Sequence, residues 1–429
     1  MPAPSEIVLE MTRKTMRYRY AVLGIAAFGY FLVFFHRMST AVMAPDLSAD
    51  FGLGPAQVGL FGSMYFYAYA MSQLPSGILA DRWGARKTTS LFLLIAGSAA
   101  LLFGIANTFT VALGARFFVG LGVAFMYVPT LRLLADWFRA DEYATYVGFM
   151  VAVGNSGALA ASAPLAALMI TMGWRSAIIC IGFITILTAA LLYIVVRNKP
   201  EEIGGINPNK DLLVNVEPIK QMSVSQVIKV LIRKYNFWTL AILYFGWAGI
   251  LMSIQGLWSG PYLMNVYHLS KQEASSILMF IAIGAIIGCP LIGFFSDRVA
   301  ITKKKLVMIG VLGTILTLVP LVFFIDTIPL GWMRVLMFMF GLFSYSNLLI
   351  WPNLKDNVEA TMLGTASGFL NLFGFMGGAI FQQIMGIIIA RAPMAGSYLS
   401  TNGFKAAFLF CLVYLIFGLM VFSTQKEAA

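Results

Sequence analysis

His36, Arg37 and Arg116 are ionisable residues that fall well inside long apolar runs of the sequence. A charged Arg near the centre of a bilayer costs at least roughly 2.5–3.5 kcal/mol, so its guanidinium must be paired or must face water. The Asp and Glu residues all lie at the ends of the apolar runs or between them. Because no carboxylate inside a run can neutralise Arg37 or Arg116, we expect a bound anion to be the counter-charge.

Arg37 and Arg116 lie in the outer halves of their runs, and a helical rise of about 1.5 Å per residue places them at nearly the same depth. Two guanidinium groups at one depth could clamp a carboxylate or a phosphate through paired hydrogen bonds. The alternative for Arg116 is that it donates to backbone carbonyls or braces a neighbouring helix. Arg132 lies nearer the end of its run, where we expect it to pair with Asp81 or Asp136.

His36 is the ionisable residue within a run whose side chain titrates near neutral pH. It could transfer a coupling proton, but successive residues point about 100° apart around a helix, so His36 faces away from Arg37. We favour a hydrogen-bonded structural histidine over a proton carrier.

Aromatic and amide side chains within the runs are candidates for the rest of a binding site. Most Trp and Tyr residues in such runs pack against neighbours or gather at the membrane interfaces. An amide in the middle of a span needs a polar partner or water, which favours Gln255 and Asn371. The candidate lining residues are Tyr65, Tyr69, Tyr127, Gln255 and Asn371.

The apolar runs that must position these residues make up most of the chain. Hydrophobic residues are 60% and charged residues 11% of the 429 residues, which excludes an ordinary soluble domain. Each run has roughly 20 residues or more, enough to cross a hydrocarbon layer about 30 Å thick as a helix. We predict twelve spans, at about 20–44, 56–80, 88–108, 111–136, 143–170, 175–197, 237–264, 272–296, 305–326, 331–354, 362–390 and 403–423.

The predicted spans fall into two halves that a polar linker joins. The end of this linker, residues 221–234, is weakly amphipathic, which is consistent with a flexible connection or with a helix on the membrane surface. The predicted segments are an N-terminal cytoplasmic segment at 1–19, a six-helix bundle at 20–197, the linker at 198–236, a second six-helix bundle at 237–423 and a cytoplasmic tail at 424–429.

Basic residues are distributed unevenly between the two sides of the predicted bundle. Of 29 Lys and Arg residues, 21 fall in segments on the same side as the N-terminus. Short loops rich in Lys and Arg remain in the cytoplasm, so we expect both termini to be cytoplasmic. The net charge of +11 is therefore a sign of membrane topology and does not indicate a nucleic-acid partner.

A short motif occurs once in each half. The first copy, between the second and third spans, comprises Gly77, Asp81, Arg82, Gly84 and Arg86. The second copy, between the eighth and ninth spans, comprises Gly293, Asp297 and Arg298. Both the Gly and the Asp recur after 216 residues, which indicates a parallel internal repeat. In a membrane protein this architecture is typical of a transporter.

This arrangement resembles the major facilitator superfamily, which has twelve spans in two halves and the motif G-x-x-x-D-R-x-G-x-R-K between spans two and three. The resemblance implies an all-α integral membrane fold of twelve transmembrane helices in two pseudo-symmetric six-helix bundles, which work by alternating access. It also implies that the two motif copies and Arg132 form a gate. In that gate Asp81 would be a latch near a helix N-terminus, and Gly77 would let two helices approach closely.

A finer resemblance is to the organic-anion branches, the anion:cation symporters and the organophosphate:phosphate antiporters. Arg37 follows Phe-Phe-His in the first span, and the fourth span has Arg116-x3-Gly120, as in these groups. Val123 stands where the proton-coupled symporters commonly have a carboxylate, and residues 251–255 lack the second Arg of the antiporters. The resemblance therefore supports the anion class but not its usual coupling machinery.

These observations predict a secondary transporter that moves a small organic anion (a carboxylate, a sugar acid or a phosphate ester) across the cytoplasmic membrane. The alternatives are an exporter of a neutral or cationic compound and a non-transporting sensor of the same fold. Scattered Cys180, Cys289 and Cys411, with no catalytic constellation or nucleotide motif, argue against an enzyme, a metal site and a cofactor. Besides the anionic substrate we expect the lipid bilayer and a coupling proton, sodium ion or counter-anion as partners of a monomer.

Overall fold

The computed structural model describes residues 4–208, 223–298, 302–359, 362–393 and 399–426. It describes the backbone but not the side chains at 4–9, 140, 144, 290 and 293–298. The described chain is almost entirely α-helical, as the predicted fold class requires.

Nine helices make up the described N-terminal half. They are α1 (Pro4–Met38), α2 (Thr40–Phe51), α3 (Pro55–Met71), α4 (Gln73–Trp83), α5 (Ala85–Gly104), α6 (Phe109–Ala124), α7 (Tyr127–Trp137), α8 (Ala140–Ala160) and α9 (Ala163–Ile194).

The linker and the C-terminal half contribute nine more helices. They are α10 (Val224–Arg233), α11 (Tyr235–Ser253), α12 (Ser259–Val266), α13 (Lys271–Arg298), α14 (Lys303–Phe323), α15 (Leu330–Ser344), α16 (Ile350–Asn357), α17 (Leu363–Arg391) and α18 (Thr401–Ser423).

Several membrane spans consist of two helices that meet at a short break. α1 and α2 meet at Ser39, and α3 and α4 meet at Ser72. A π-helical turn, Ile254–Trp258, joins α11 to α12, and a 3-10 turn, Tyr345–Leu349, joins α15 to α16. Polar backbone groups at such breaks need donors or acceptors from other helices, because the membrane interior offers no water.

Ten segments of the described chain are long and apolar enough to cross a membrane, against the twelve spans predicted. The other two, 56–80 and 143–170, are helical but interrupted, the first at Ser72 and the second after Ala160. The second part of the 143–170 span is the start of α9, which comprises two helices that meet at Gly173. Gly173, with φ of 77°, makes the turn between them, a conformation that glycine adopts without steric cost.

Helices within each half pack closely where glycine removes the side chain. A methyl group on Gly120 of α6 would lie 2.3 Å from the Tyr65 carbonyl oxygen of α3. Only glycine therefore permits this crossing of α3 and α6. Arg116 lies one turn before Gly120 on α6, so the crossing holds Tyr65 of α3 beside Arg116.

The linker contains two described elements, a 3-10 turn at Pro200–Ile203 and the helix α10. Part of the predicted amphipathic stretch is thus helical at Val224–Arg233, whereas 209–222 lies outside the described residues. The division of the chain into two bundles and a linker at 198–236 stays a prediction.

Candidate functional site

Arg37 lies in the last turn of α1 and is only 6% exposed. Its guanidinium carbon lies 4.7 Å from the ring centroid of Phe34, 5.1 Å from that of Tyr69 and 5.2 Å from that of Phe375. Its Nε atom is buried without a hydrogen-bond partner. Among the described side chains, no Asp or Glu forms an ion pair with it. Because Phe375 belongs to α17, this buried charge lies where the two halves meet.

The aromatic rings around Arg37 replace part of the hydration that its charge loses on burial. A cation over an aromatic face gains about 0.5–1 kcal/mol when exposed and about 2 kcal/mol or more when desolvated. Removing an ion from water costs several kcal/mol, which is more than such contacts return. The cluster therefore favours an anion that could form an ion pair with the guanidinium.

Arg116, on α6, is directed at the junction between α1 and α2. Its Nη1 donates to the His36 carbonyl at 2.8 Å, and its Nη2 donates to Thr40 Oγ1 at 2.6 Å. The guanidinium carbon also lies 4.8 Å from the ring centroid of Tyr65. These contacts support the interpretation in which Arg116 donates to a backbone carbonyl and braces the neighbouring helix, and they occupy both of its Nη atoms, while its Nε, like that of Arg37, is buried without a partner.

His36 is buried and faces α9. Its Nε2 lies 3.0 Å from Thr185 Oγ1, whose own hydroxyl donates to the Ile181 carbonyl at 2.7 Å. Because that hydroxyl proton is already used, we infer that His36 Nε2 is the donor to Thr185. This geometry is that of a hydrogen-bonded structural histidine, the interpretation favoured from the sequence.

The three candidate tyrosines lie in one aromatic region around Arg37. The ring centroid of Tyr69 lies 5.9 Å from that of Tyr65 and 4.0 Å from that of Phe375. Tyr127 stacks on Tyr30 with a centroid separation of 5.4 Å. The structure thus brings Tyr69 next to Arg37 and Tyr65 next to Arg116. Tyr127 belongs to the same group of aromatic rings, because Tyr30 contacts both Tyr127 and Phe34.

The candidate amides form two separate hydrogen-bonded groups. Asn371 accepts from the Tyr244 hydroxyl at 3.2 Å and donates to Gln73 Oε1 at 2.6 Å, across the interface between the halves. Gln255 accepts from the Tyr345 hydroxyl at 3.2 Å within the C-terminal half. Both amides therefore have the polar partners that their depth in the membrane requires.

Sequence reasoning missed the residues that complete this region. Gln73 could have been found, because it is an amide within a span, the same signal that selected Gln255 and Asn371. Phe34 and Phe375 have no such signal, since an aromatic residue in an apolar helix looks like ordinary packing. The missed residues that contact the candidates are Phe34, Gln73, Tyr244, Tyr345 and Phe375.

At the end of the bundle nearest the termini, hereafter the proximal end, Asp81 and Arg132 form an ion pair between α4 and α7. This is one of the two pairings expected for Arg132. The side chains are 74% and 44% exposed, respectively. Exposed pairs of this kind contribute about 0–1 kcal/mol, so the contact can form and break readily.

The rest of the first motif holds the junction between α4 and α5 against the end of the sixth span. The Arg86 amide donates to Asn198 Oδ1 at 2.9 Å, and Arg86 Nε donates to the Tyr193 carbonyl at 2.7 Å. Gly84 has φ of 80°, which explains the glycine at this turn. Arg82 lines a groove of about 260 Å³ beside this junction.

The close approach expected at Gly77 is wrong for this conformation, because a methyl group there would meet nothing nearer than Val128 Cγ1 at 3.9 Å. The ion pair of Asp81 and Arg132 joins α4 to α7, and the two helices leave room for a methyl group at Gly77. The side chains of the second copy, at Gly293, Asp297 and Arg298, lie outside the described residues.

At the opposite, distal end, polar contacts join the two halves directly. Lys271 Nζ, at the start of α13, lies 2.6 and 2.7 Å from the carboxylate oxygens of Asp46 on α2. The Tyr67 hydroxyl of α3 donates to Gln383 Oε1 of α17 at 2.8 Å. These contacts close the distal side of the site.

The crossing of α3 and α17 is the most extensive contact between the halves. A methyl group would lie 2.7 Å from the Gln382 carbonyl oxygen if placed on Gly59, and 2.2 Å from Gln382 Oε1 if placed on Gly62. Ser63 Oγ donates to the Ala379 carbonyl at 2.6 Å in the same crossing. Glycine at Gly59, where the close atoms belong to the α17 backbone, therefore makes this closure possible, and Gly62 leaves room for the Gln382 side chain.

Comparison with known proteins agrees with this architecture. The family model described as "Major Facilitator Superfamily" matches residues 26–382. The chain belongs to this superfamily. Among solved structures, an inward-facing, occupied bacterial homologue of the human lysosomal transporter Spinster superposes with a TM-score of 0.75. At 18% identity over 96% of this chain and 97% of that one, the superposition supports the fold.

Several relatives of known name match over most of their length. "Probable sulfoacetate transporter SauU" of Cupriavidus necator is 22% identical over 90% of both chains. "Probable hexose phosphate transport protein" of Chlamydia muridarum is 24% identical over 98% of this chain and 94% of the relative. "Membrane sensor protein UhpC" of Salmonella typhimurium is 24% identical over 88% of both. The chain is thus a multi-pass membrane protein of the transporter superfamily, similar to organic-anion transporters.

Proposed function

We propose that this protein is a secondary transporter that moves a small organic anion across the cytoplasmic membrane by alternating access. The observation that supports this proposal is Arg37, a buried guanidinium with an unpartnered Nε at the junction of the two halves. The relatives named for sulfoacetate and hexose phosphate transport handle anions, which agrees with the charge of the site.

The site favours a cargo that presents one anionic group to the protein. Both Nη atoms of Arg116 donate to the first span, whereas the neighbours of Arg37 are aromatic rings from both halves, so we assign the cargo to Arg37. One guanidinium forms a bidentate pair with one carboxylate, sulfonate or phosphate group. The rings of Tyr69 and Phe375 then contact the body of the molecule next to that group.

Two sets of contacts at opposite ends of the bundle support alternating access. The distal contacts of Asp46 with Lys271 and of Gly59 with Gln382 must separate to open the site on that side. The proximal pair of Asp81 and Arg132 lies within one half and can act as a latch on the other side. An anion bound at Arg37 and Phe375 contacts both halves, so its binding can bias their closure.

Coupling is proposed to be antiport or charge-balanced symport. The position of the usual symporter carboxylate is Val123, which cannot bind a proton. His36 is committed to Thr185, so a proton-driven version would depend on His36 leaving that bond or on the cargo being protonated.

Uptake into proteoliposomes tests the proposal. Labelled monocarboxylates, dicarboxylates and phosphate esters are compared with a cationic dye, using the protein, Arg37→Ala and the matched control Arg334→Ala, whose Arg is exposed on α15. We expect uptake of a compound with one anionic group that is lost in Arg37→Ala and kept in Arg334→Ala. Uptake of the dye that persists in Arg37→Ala would contradict the anion assignment.

A sensor of the same fold is the second candidate, which the similarity to the UhpC membrane sensor favours. A sensor would bind the anion at Arg37 without moving it. Binding of a monoanion by the purified protein, together with no uptake or exchange in proteoliposomes, would select this alternative.

A further inference from the structure

The surface helix α10 is only partly covered by the protein. Ser223 caps its N-terminus, accepting from the Gln226 amide, and the side chains of Val227 and Leu231 are buried. These two side chains, one helical turn apart, mark the face that packs on α17 and on the start of α11. The helix is therefore fixed to the proximal end of the C-terminal half.

The apolar side of α10 is wider than the face that the protein covers. Val224 and Ile232 remain 40% and 47% exposed beside the buried pair. Lys229 and Arg233 are exposed on the adjoining polar side. An exposed apolar edge next to basic side chains is the pattern of a helix that lies in the headgroup region of a bilayer.

The aromatic residues next to this edge are of the types that gather at membrane interfaces. Trp238, in the first turn of α11, donates from Nε1 to the Ile232 carbonyl at 2.8 Å. Tyr235, between them, is 55% exposed. Trp and Tyr concentrate at the level of the lipid headgroups, where an apolar ring meets a polar edge.

Trp238 and its neighbour Phe237, both on α11, connect the junction with α10 to α17, the helix that lines the site. Phe237 stacks on Phe369 of α17 at 5.3 Å, and Trp238 packs against Phe373 of α17 at 5.7 Å. Phe373 lies between Asn371 and Phe375 in the chain, two residues from each. A ligand that holds α10 in place therefore also supports this part of α17.

We propose that α10 is a docking site for anionic phospholipid of the bilayer. Lys229 and Arg233 bind the phosphate headgroups, while Val224 and Ile232 insert among the upper acyl carbons. A zwitterionic lipid surface offers the same apolar contact without the net negative charge, so preference for anionic lipid is the signature of the site. The proposal rests on the geometry of α10 and is independent of the proposed cargo.

Lipid retention by the purified protein tests the electrostatic part. The protein in detergent is mixed with phosphatidylglycerol and phosphatidylcholine, and bound lipids are counted by native mass spectrometry. Each basic residue near an anionic surface gives about a fivefold preference, so Lys229→Gln with Arg233→Gln should lose phosphatidylglycerol preference by roughly thirtyfold. The control pair Arg391→Gln with Lys405→Gln, also exposed, should keep it. Equal retention by the two double variants would overturn the proposal.

A fluorophore at single cysteines tests the apolar part. In a background without native cysteines, Ile232→Cys and Gln226→Cys are labelled and the protein is placed in vesicles that contain phosphatidylglycerol. Lipid-attached quencher should reduce the signal strongly at position 232 and weakly at position 226, which is exposed and lies about 120° away around the helix, beside Arg233. Equal quenching at the two positions would contradict insertion of this edge, even if the basic residues bind lipid.

Discussion

Arg116 is expected to support the site by holding the first span in shape, and a double-mutant cycle with Thr40 measures this role. In Arg116→Met the His36 carbonyl loses one donor but keeps Ser39 Oγ at 3.2 Å, whereas the Thr40 hydroxyl loses its guanidinium partner. A buried polar group without a partner costs about 1–3 kcal/mol. We expect each of Arg116→Met and Thr40→Val to lower the free energy of unfolding by about that amount.

The two changes should not add, because they remove the same hydrogen bond. A coupling energy of about 0.5–3 kcal/mol is expected from unfolding titrations of the protein, the two single variants and the double variant in detergent. Arg334→Met, the same substitution at an exposed Arg, serves as the control and should leave stability nearly unchanged.

The clamp hypothesis makes the opposite prediction for Arg116. If Arg116 binds the cargo, Arg116→Met should weaken anion binding as much as Arg37→Ala does while the free energy of unfolding stays unchanged. Additive effects of Arg116→Met and Thr40→Val on stability, combined with such a loss of affinity, would refute the positioning role.

Three other predictions concern the gates and the topology. Asp81→Asn should slow transport while anion affinity stays within about fivefold of that of the unaltered protein, because the exposed ion pair with Arg132 contributes about 1 kcal/mol at most. Unchanged flux would count against the latch. Lys271→Gln removes the ion pair with Asp46 and should increase the distal-open population about fivefold for each 1 kcal/mol of interaction energy that is lost. Spin-label distances between positions 171 and 272 measure this population. An unaltered distance distribution would show that the pair does not hold the distal side closed. A single cysteine at Ser225 should resist membrane-impermeant labelling of intact cells while one at Thr327 reacts, and the reverse pattern would place the termini outside.

Much of the architecture follows from patterns that are local in the sequence. Apolar runs of sufficient length predict helices, and the isolated charge of Arg37 stands out because no carboxylate shares its depth. The same local argument predicts helices at 56–80 and 143–170 but not their interruptions, since neither the break at Ser72 nor the one after Ala160 has a strong sequence signal.

The contacts across the site could not be read from the sequence. Phe375 and Gln73 meet residues of the opposite half, so their roles depend on how two bundles pack. The partners of Arg116 depend on the break at Ser39, which frees polar groups at one point of the first span. Gly77 shows the opposite error, because a glycine in a motif does not mark a tight helix crossing in every conformation.

The affinity of Arg37 variants for an organic anion tests the central claim most directly. A panel of monocarboxylates, sugar acids, dicarboxylates and phosphate esters is screened by thermal shift, and the dissociation constant of a stabilising compound is measured by calorimetry. Arg37→Ala should raise this constant by about 30-fold to several-thousand-fold, since losing one partner of a desolvated pair costs about 2–5 kcal/mol. Arg37→Lys should retain part of the affinity, because it keeps the charge but not the bidentate geometry, and Arg334→Ala should match the unaltered protein. Equal affinity of the unaltered protein and Arg37→Ala for every anion that binds would contradict the account.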